Sequence, residues 1–254
     1  MKIIPAYIYL TACLLSHPLI SLAQNQSFHA DFAGGSLGEV TKVGENHWRC
    51  AVEGESDSDD RNRQASWYYF SVDGVKNQSI TIELTELLGE YNYKPGAHAI
   101  TSETRPVISY DQSTWRHLTD EEVRWNDEST ELILAFTPEE DQVWIAHQVP
   151  YTTADLNILL ADYPNHPLLS HQSIGSTPQG QDIPQLTITN NQVPANQKKV
   201  VWLMARQHSW ESGTSWVMEG AIRYLLDSAN TKLLDRIIFQ IIPLADPDGV
   251  DRGG

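Results

Sequence analysis

The stretch ARQHSWESGTSW, residues 205–216, decides how the second half of this chain is read. It follows an unbroken apolar run, VVWLMA (200–205), as expected of a strand covered on both faces. It precedes TSWVMEGAIRYLLDSA (214–229), where Met218, Ile222, Leu225, Leu226 and Ala229 fall on one stripe of a helix. RIIFQIIPL (236–244) is a second apolar strand, running into the turn ADPDGV (245–250). Strand, helix, strand is the start of an α/β sheet domain. His208 and Glu211 stand three apart, just past the carboxyl end of the first strand, the edge where open α/β sheets place ligand sites. Side chains three apart in a helical turn face the same way. An imidazole nitrogen and a carboxylate oxygen there can both reach one zinc at about 2.0–2.2 Å. Equally, the His can cap the strand end and the Glu favour the helix start electrostatically. Position alone leaves both open.

Upstream the texture is different. QSITIELTELL (78–88) alternates Ile80, Ile82 and Leu84 against Ser79, Thr81 and Glu83, a half-buried strand. SWYYFSVDG (66–74), RPVISYDQSTWRHL (105–118), ELILAF (131–136) and QVWIAHQVPY (142–151) supply further strands between polar loops. Short strands without a long helix predict an all-β sandwich over 24–150. At Pro150 the pattern changes. YTTADLNILLADY (151–163) reads as a helix capped by Thr152 or Thr153, with Leu156, Leu159 and Leu160 on one face and Pro164 as its stop. QLTITN (185–190) is a strand. The second unit is placed at 151–254.

The chain has 254 residues with 17 basic and 33 acidic side chains, a net charge of −16. That balance argues against nucleic acid and anionic membrane surfaces as partners. The acidic run GESDSDD (54–60) lacks calcium-loop spacing and is read as a solvated loop. The N-terminus carries one charge, Lys2, before an apolar stretch that closes on Ser21-Leu22-Ala23. This predicts a signal peptide over 1–23, a secreted or periplasmic protein, and no membrane span once it is removed. LTAC (10–13) is a rival lipid-attachment box at Cys13. Cleavage after Ala23 leaves Cys50 as the one cysteine, a buried structural thiol in HWRCAVEG (47–54).

ARQHSWESGTSWVMEGAIRYLL (205–226) resembles the zinc-site motif of the zinc metallocarboxypeptidases of the carboxypeptidase A type, in the cytosolic-carboxypeptidase-like branch. SIGSTPQGQDIPQLTITN (173–190) and IIPLADPDGVDRGG (241–254) resemble the segments before and after that motif. ADFAGGSLGEV (30–40), WYYFSVDG (67–74) and YNYKPGAHAI (91–100) resemble the β-sandwich that precedes the catalytic domain in the branch. The resemblance implies an N-terminal β-sandwich followed by the first half of an α/β, mixed-sheet carboxypeptidase domain. It implies a Zn2+ cofactor, a peptide or protein C-terminus as substrate, and hydrolysis of C-terminal peptide bonds. His208 and Glu211 match the first two metal ligands. The third ligand, the catalytic Glu and the substrate-binding Arg are expected beyond Gly254, so no catalytic residue is assigned within the chain. Ser209 and Trp210 stand where the branch often has Pro-Gly, Gln181 where an Arg often follows the Gly, and Asp246 where Asn is usual. Arg206, Trp210 and Trp216 are read as structural. The alternative is a non-catalytic β-sandwich binding protein, with exposed members of Trp67, Trp115, Trp125 and Trp144 forming its contact surface.

Overall fold

The alternation of Ile80, Ile82 and Leu84 with half-buried Thr81, Glu83 and Thr85 survives folding intact, and it fixes which face of that strand meets the core. A computed structural model of the chain describes residues 26–253. Its first half contains β1 (Ser27–His29), β2 (Val40–Gly44), β3 (His47–Ala51), β4 (Tyr69–Asp73), β5 (Ile80–Thr85), β6 (Gly89–Tyr91) and β7 (Lys94–Ala97). It continues with β8 (Val107–Ser109), β9 (Trp115–His117), β10 (Val123–Asn126), β11 (Glu131–Phe136) and β12 (Gln142–Ala146). Two five-stranded sheets result, ordered β1-β4-β12-β8-β9 and β10-β11-β5-β3-β2, with β6 and β7 as a separate ribbon. Pairing is antiparallel except for β3 with β5.

The sandwich closes because both sheets offer an apolar face. Phe70, Val72, Val143 and Ile145 come from one, and Trp48, Cys50, Ile82, Leu84, Leu132 and Leu134 from the other. Leu132 faces Leu84, and Leu134 faces Ile82 across the β11–β5 ladder. Each such side chain contributes about 1.5–3 kcal/mol by leaving water. Cys50 is fully buried, as its strand position predicts. The acidic run forms a local loop in which Asp57 accepts from the backbone of Arg61 at 2.8 Å, agreeing with the loop reading. Trp67 is core, its Nε1 donating to the Gly34 carbonyl at 2.8 Å. Trp115, Trp125 and Trp144 are half-buried, Trp115 and Trp144 packing on the cluster of Trp67 and Tyr69.

The second half contains α1 (Thr153–Ala161), β13 (Leu169–Ser176), β14 (Asp182–Ile188), β15 (Lys199–Met204), α2 (Ser212–Leu226), β16 (Ile237–Ile242) and α3 (Pro247–Arg252). Thr152 is the cap of α1, and the Asp155 carboxylate accepts from both its backbone N–H and its hydroxyl. The sheet order is β13-β14-β16-β15. β15 and β16 are parallel, joined through α2, while β14 runs antiparallel to both its neighbours, so the sheet is mixed. The stripe on α2 packs as expected: Met218, Ile222, Leu225 and Leu226 join Leu186, Ile188 and Ile241 in a second core.

Two readings change. β15 lies at the sheet edge among the described residues, with Val200, Trp202 and Met204 about half exposed and Leu203 packed on the second core. Its continuous apolar run reports what each face accepts, not that both faces are covered here. ADPDGV is not a bare turn. Asp246 accepts from the Gly249 N–H at 3.0 Å and starts α3, with Pro247 at its first turn. α3 lies against the sandwich. Gly253 has φ 78°, and a Cβ there would sit 2.2 Å from the Gly35 carbonyl oxygen, so only glycine fits.

Candidate metal centre

β15 delivers the chain into a short loop whose shape is set by a buried cation. Arg206 is 2% exposed and takes a left-handed φ of 56°. Its Nε donates to the Ser209 carbonyl at 3.0 Å and its Nη1 to the Tyr151 carbonyl at 2.9 Å, while Nη2 also donates to Ser209. Its backbone N–H reaches the Thr214 hydroxyl at 3.1 Å. Burial lowers the guanidinium to about 10, against the opposing pull of Glu211 and Asp246, so it stays charged at neutral pH. The loop is fastened to the end of the sandwich as well. Ser212 Oγ donates to the Val149 carbonyl at 2.8 Å, and Trp216 Nε1 donates to the same carbonyl at 3.1 Å. Trp210 packs on the aromatic cluster of Trp67 and Tyr69.

What this loop presents is the sequence-predicted pair. His208 Nδ1 and Glu211 Oε1 lie 3.0 Å apart. The His side chain is 69% exposed and the Glu 31%, so both face solvent while the loop beneath them is buried. Glu211 is the cap residue of α2, and its N–H meets the His208 carbonyl at 3.2 Å, closing the turn that sets them side by side. The donor set suits zinc. A neutral imidazole nitrogen and a carboxylate oxygen are ordinary zinc donors, and a tetrahedral centre asks its donors to stand about 3.3 Å apart. Among the described residues no third His, Cys, Asp or Glu joins them. His171 is exposed on β13, opposite Leu186, and His166 packs edge-on to Tyr163 at 5.8 Å, so neither enters the site.

Gln181 and Asp248 have scaffold roles. Gln181 Nε2 donates to the Pro247 carbonyl at 3.4 Å. Asp248 accepts from the Thr177 hydroxyl at 2.7 Å and the Gln179 N–H at 3.1 Å, tying α3 to the turn between β13 and β14. Sequence reasoning missed that Arg206 organises the loop, because its partners are carbonyls, which carry no side-chain signature.

Residues 153–254 match the family described as zinc carboxypeptidase, and residues 28–147 match the cytosolic carboxypeptidase N-terminal domain. The chain is 27% identical to cytosolic carboxypeptidase 3 of Bos taurus over 94% of its length, and 29% identical to cytosolic carboxypeptidase 2 of Homo sapiens over 89%. A solved metallo-carboxypeptidase from Burkholderia cenocepacia aligns with 91% of the chain at a TM-score of 0.77 and 25% identity. The chain spans 25% and 27% of the length of those two relatives and 58% of the solved chain.

The expectation of a secreted or periplasmic protein is corrected by these matches. The N-terminal domain is of the cytosolic carboxypeptidase type, and the curated relatives carry that name, which points to the cytosol. The signal-peptide reading of 1–23 and the lipid box at Cys13 lie outside the described residues. An apolar N-terminus is a matter of composition and does not by itself specify export. No helix among the described residues is long and apolar enough to cross a membrane.

Proposed function

The chain belongs to the zinc carboxypeptidases that carry a cytosolic carboxypeptidase N-terminal domain, and on that premise we propose that it forms part of a zinc-dependent carboxypeptidase with His208 and Glu211 as two metal ligands. The reaction is hydrolysis of the C-terminal peptide bond of a peptide or protein. One observation carries this reading: the imidazole and carboxylate meet at 3.0 Å on the solvent side of a loop at the carboxyl edge of β15. When bound, zinc supplies Lewis acidity toward a carbonyl oxygen and toward water. The chain's own contribution is placement. The turn closed by Glu211 N–H fixes the distance between the two donors, and Arg206 holds the backbone beneath them. Pre-set donors spare the metal the cost of ordering a flexible loop.

The test is zinc content by elemental analysis together with release of C-terminal amino acids from a peptide panel. In the full-length enzyme, the wild-type protein should retain zinc and release C-terminal residues. His208→Ala and Glu211→Ala should lose both at unchanged secondary structure. Wild-type zinc content and activity in His208→Ala would overturn the assignment.

A further inference from the structure

A cavity of about 690 Å³ opens where the sandwich meets the second half, bounded by the loop before β9, the segment after β12, and the first turns of α1 and α2. Its size is that of a site for a small ligand or a few side chains. Phe32, Tyr69, Trp115 and Trp216 line it together with the carboxylates of Asp111 and Asp155, and no Lys, Arg or His is on its walls. Tyr69 is the hub of the aromatic wall. It meets Phe32 edge to face at 4.8 Å and Trp115 at 5.8 Å, and its hydroxyl accepts from Gln112 Nε2 at 2.7 Å.

Asp155 interacts electrostatically with the buried Arg206 guanidinium but is not paired with it. Among the described residues neither Asp111 nor Asp155 forms an ion pair. Asp111 Oδ1 accepts from the N–H groups of Thr114 and Ser113 at 2.6 and 2.8 Å, and these bonds hold the carboxyl down at about 2. Asp155 Oδ2 accepts from the N–H and hydroxyl of Thr152. In each case the second oxygen takes part in none of these bonds. Aromatic faces attract cations through their quadrupoles, and two fixed carboxylates beside them add charge attraction. The whole chain, at −16, favours cationic partners over acidic ones.

We propose that this cavity binds the arginine and lysine side chains of a basic polypeptide segment, as a docking subsite next to the His208–Glu211 loop. The two are close. Trp216 lies five residues along α2 from Glu211, about 7–8 Å of helix rise. Trp210, inside the motif itself, packs on the same aromatic cluster as Phe32 and Trp115. That the bound segment belongs to a substrate rests on the peptidase reading; that it binds does not.

The probes are three peptides with acetylated N-termini and amidated C-termini, alike except for two Arg, two Gln or two Glu, titrated by calorimetry into the purified protein. The blocked C-terminus makes binding independent of cleavage. The Arg peptide should bind about tenfold more tightly than the Gln peptide, and the Glu peptide more weakly than either. Asp111→Asn combined with Asp155→Asn keeps the acceptor bonds and should abolish that preference. Trp115→Leu, which lies outside both helices, should weaken the Arg peptide alone, so the test does not hang on one variant. Equal binding of the three peptides, or an unchanged preference in the double variant, overturns the proposal. Hydrolysis of unblocked peptides is read separately, on the full-length enzyme. A protein that cleaves them but ignores the blocked series loses the cavity and keeps the peptidase. One that binds the blocked Arg peptide and cleaves nothing keeps the cavity and loses the peptidase.

Discussion

Arg206 Nη1 donates to the carbonyl of Tyr151 at 2.9 Å, joining the metal-motif loop to a residue fifty-five positions earlier at the exit of the sandwich. The same guanidinium holds Ser209, and lysine cannot span both carbonyls. Arg206→Lys should therefore cost about 2–3 kcal/mol, read as a lowered urea midpoint, and should weaken zinc retention in parallel. A variant with wild-type stability and zinc content would show the loop to be held by other means.

Zinc and fold stability should be linked. A ligand that binds only the folded state at a hundred times its Kd adds about 2.7 kcal/mol. Chelation of the wild-type protein should lower its melting temperature, and Glu211→Ala should melt at the chelated value whether or not zinc is added. Equal responses to zinc in the two proteins would remove Glu211 from the site.

His147 sits in the core against Trp67 and Tyr68, and burial pushes its imidazole down to about 4 from an ordinary 6.5. The folded state keeps it neutral, while the unfolded state protonates below about 6.5, so the unfolded chain binds more protons between these values. Stability is then full above about 6.5 and declines as pH falls toward 4, by up to about 3 kcal/mol. Urea midpoints at pH 7 and 4.5 should fall further for wild type than for His147→Gln. Identical slopes would mean that other groups set the acid response.

Cys50 is fully buried, and its thiol is pushed up to about 12 by desolvation. Thiolate is the reactive form, so iodoacetamide should leave this residue unmodified in the native protein and label it completely in urea. Peptide mapping by mass spectrometry reads the difference. Rapid native labelling would mean that the β3 edge of the core opens readily.

Much of this architecture is visible in the amino-acid order, for reasons that differ by element. β5 is legible because its alternation is strict and its buried face is wholly apolar. β13 is not. Leu169 and Ile174 are its only large apolar residues, and it exists through backbone pairing with β14, which leaves no side-chain pattern. The short edge strands β1, β2, β9 and β10 blur in the same way. The His208–Glu211 pair is legible because spacing, strand end and helix start coincide within one segment. The Arg206 contacts and the aromatic cavity are assembled from residues far apart in sequence, and such proximity has no local signature.

The contacts of α3 bear on how the protein comes apart. The Asp251 carbonyl accepts from Gly34 N–H at 2.9 Å, the Asp251 carboxylate accepts from Thr153 Oγ1 at 2.9 Å, and Arg252 reaches Glu55. The Gly34–Asp251 and Glu55–Arg252 contacts join segments on opposite sides of the residue 147–152 connection, and the Thr153 bond ties α3 to α1 just beyond it. Neither half can melt without stripping partners from the other, so thermal energy should be absorbed in one shared event rather than two. A single calorimetric peak, with van't Hoff and calorimetric enthalpies in agreement, is the signature of such cooperativity. Breaking the Arg252–Glu55 link and forcing a Cβ against the Gly35 carbonyl with Gly253→Ala should together split that peak, turning one thermodynamic unit into two.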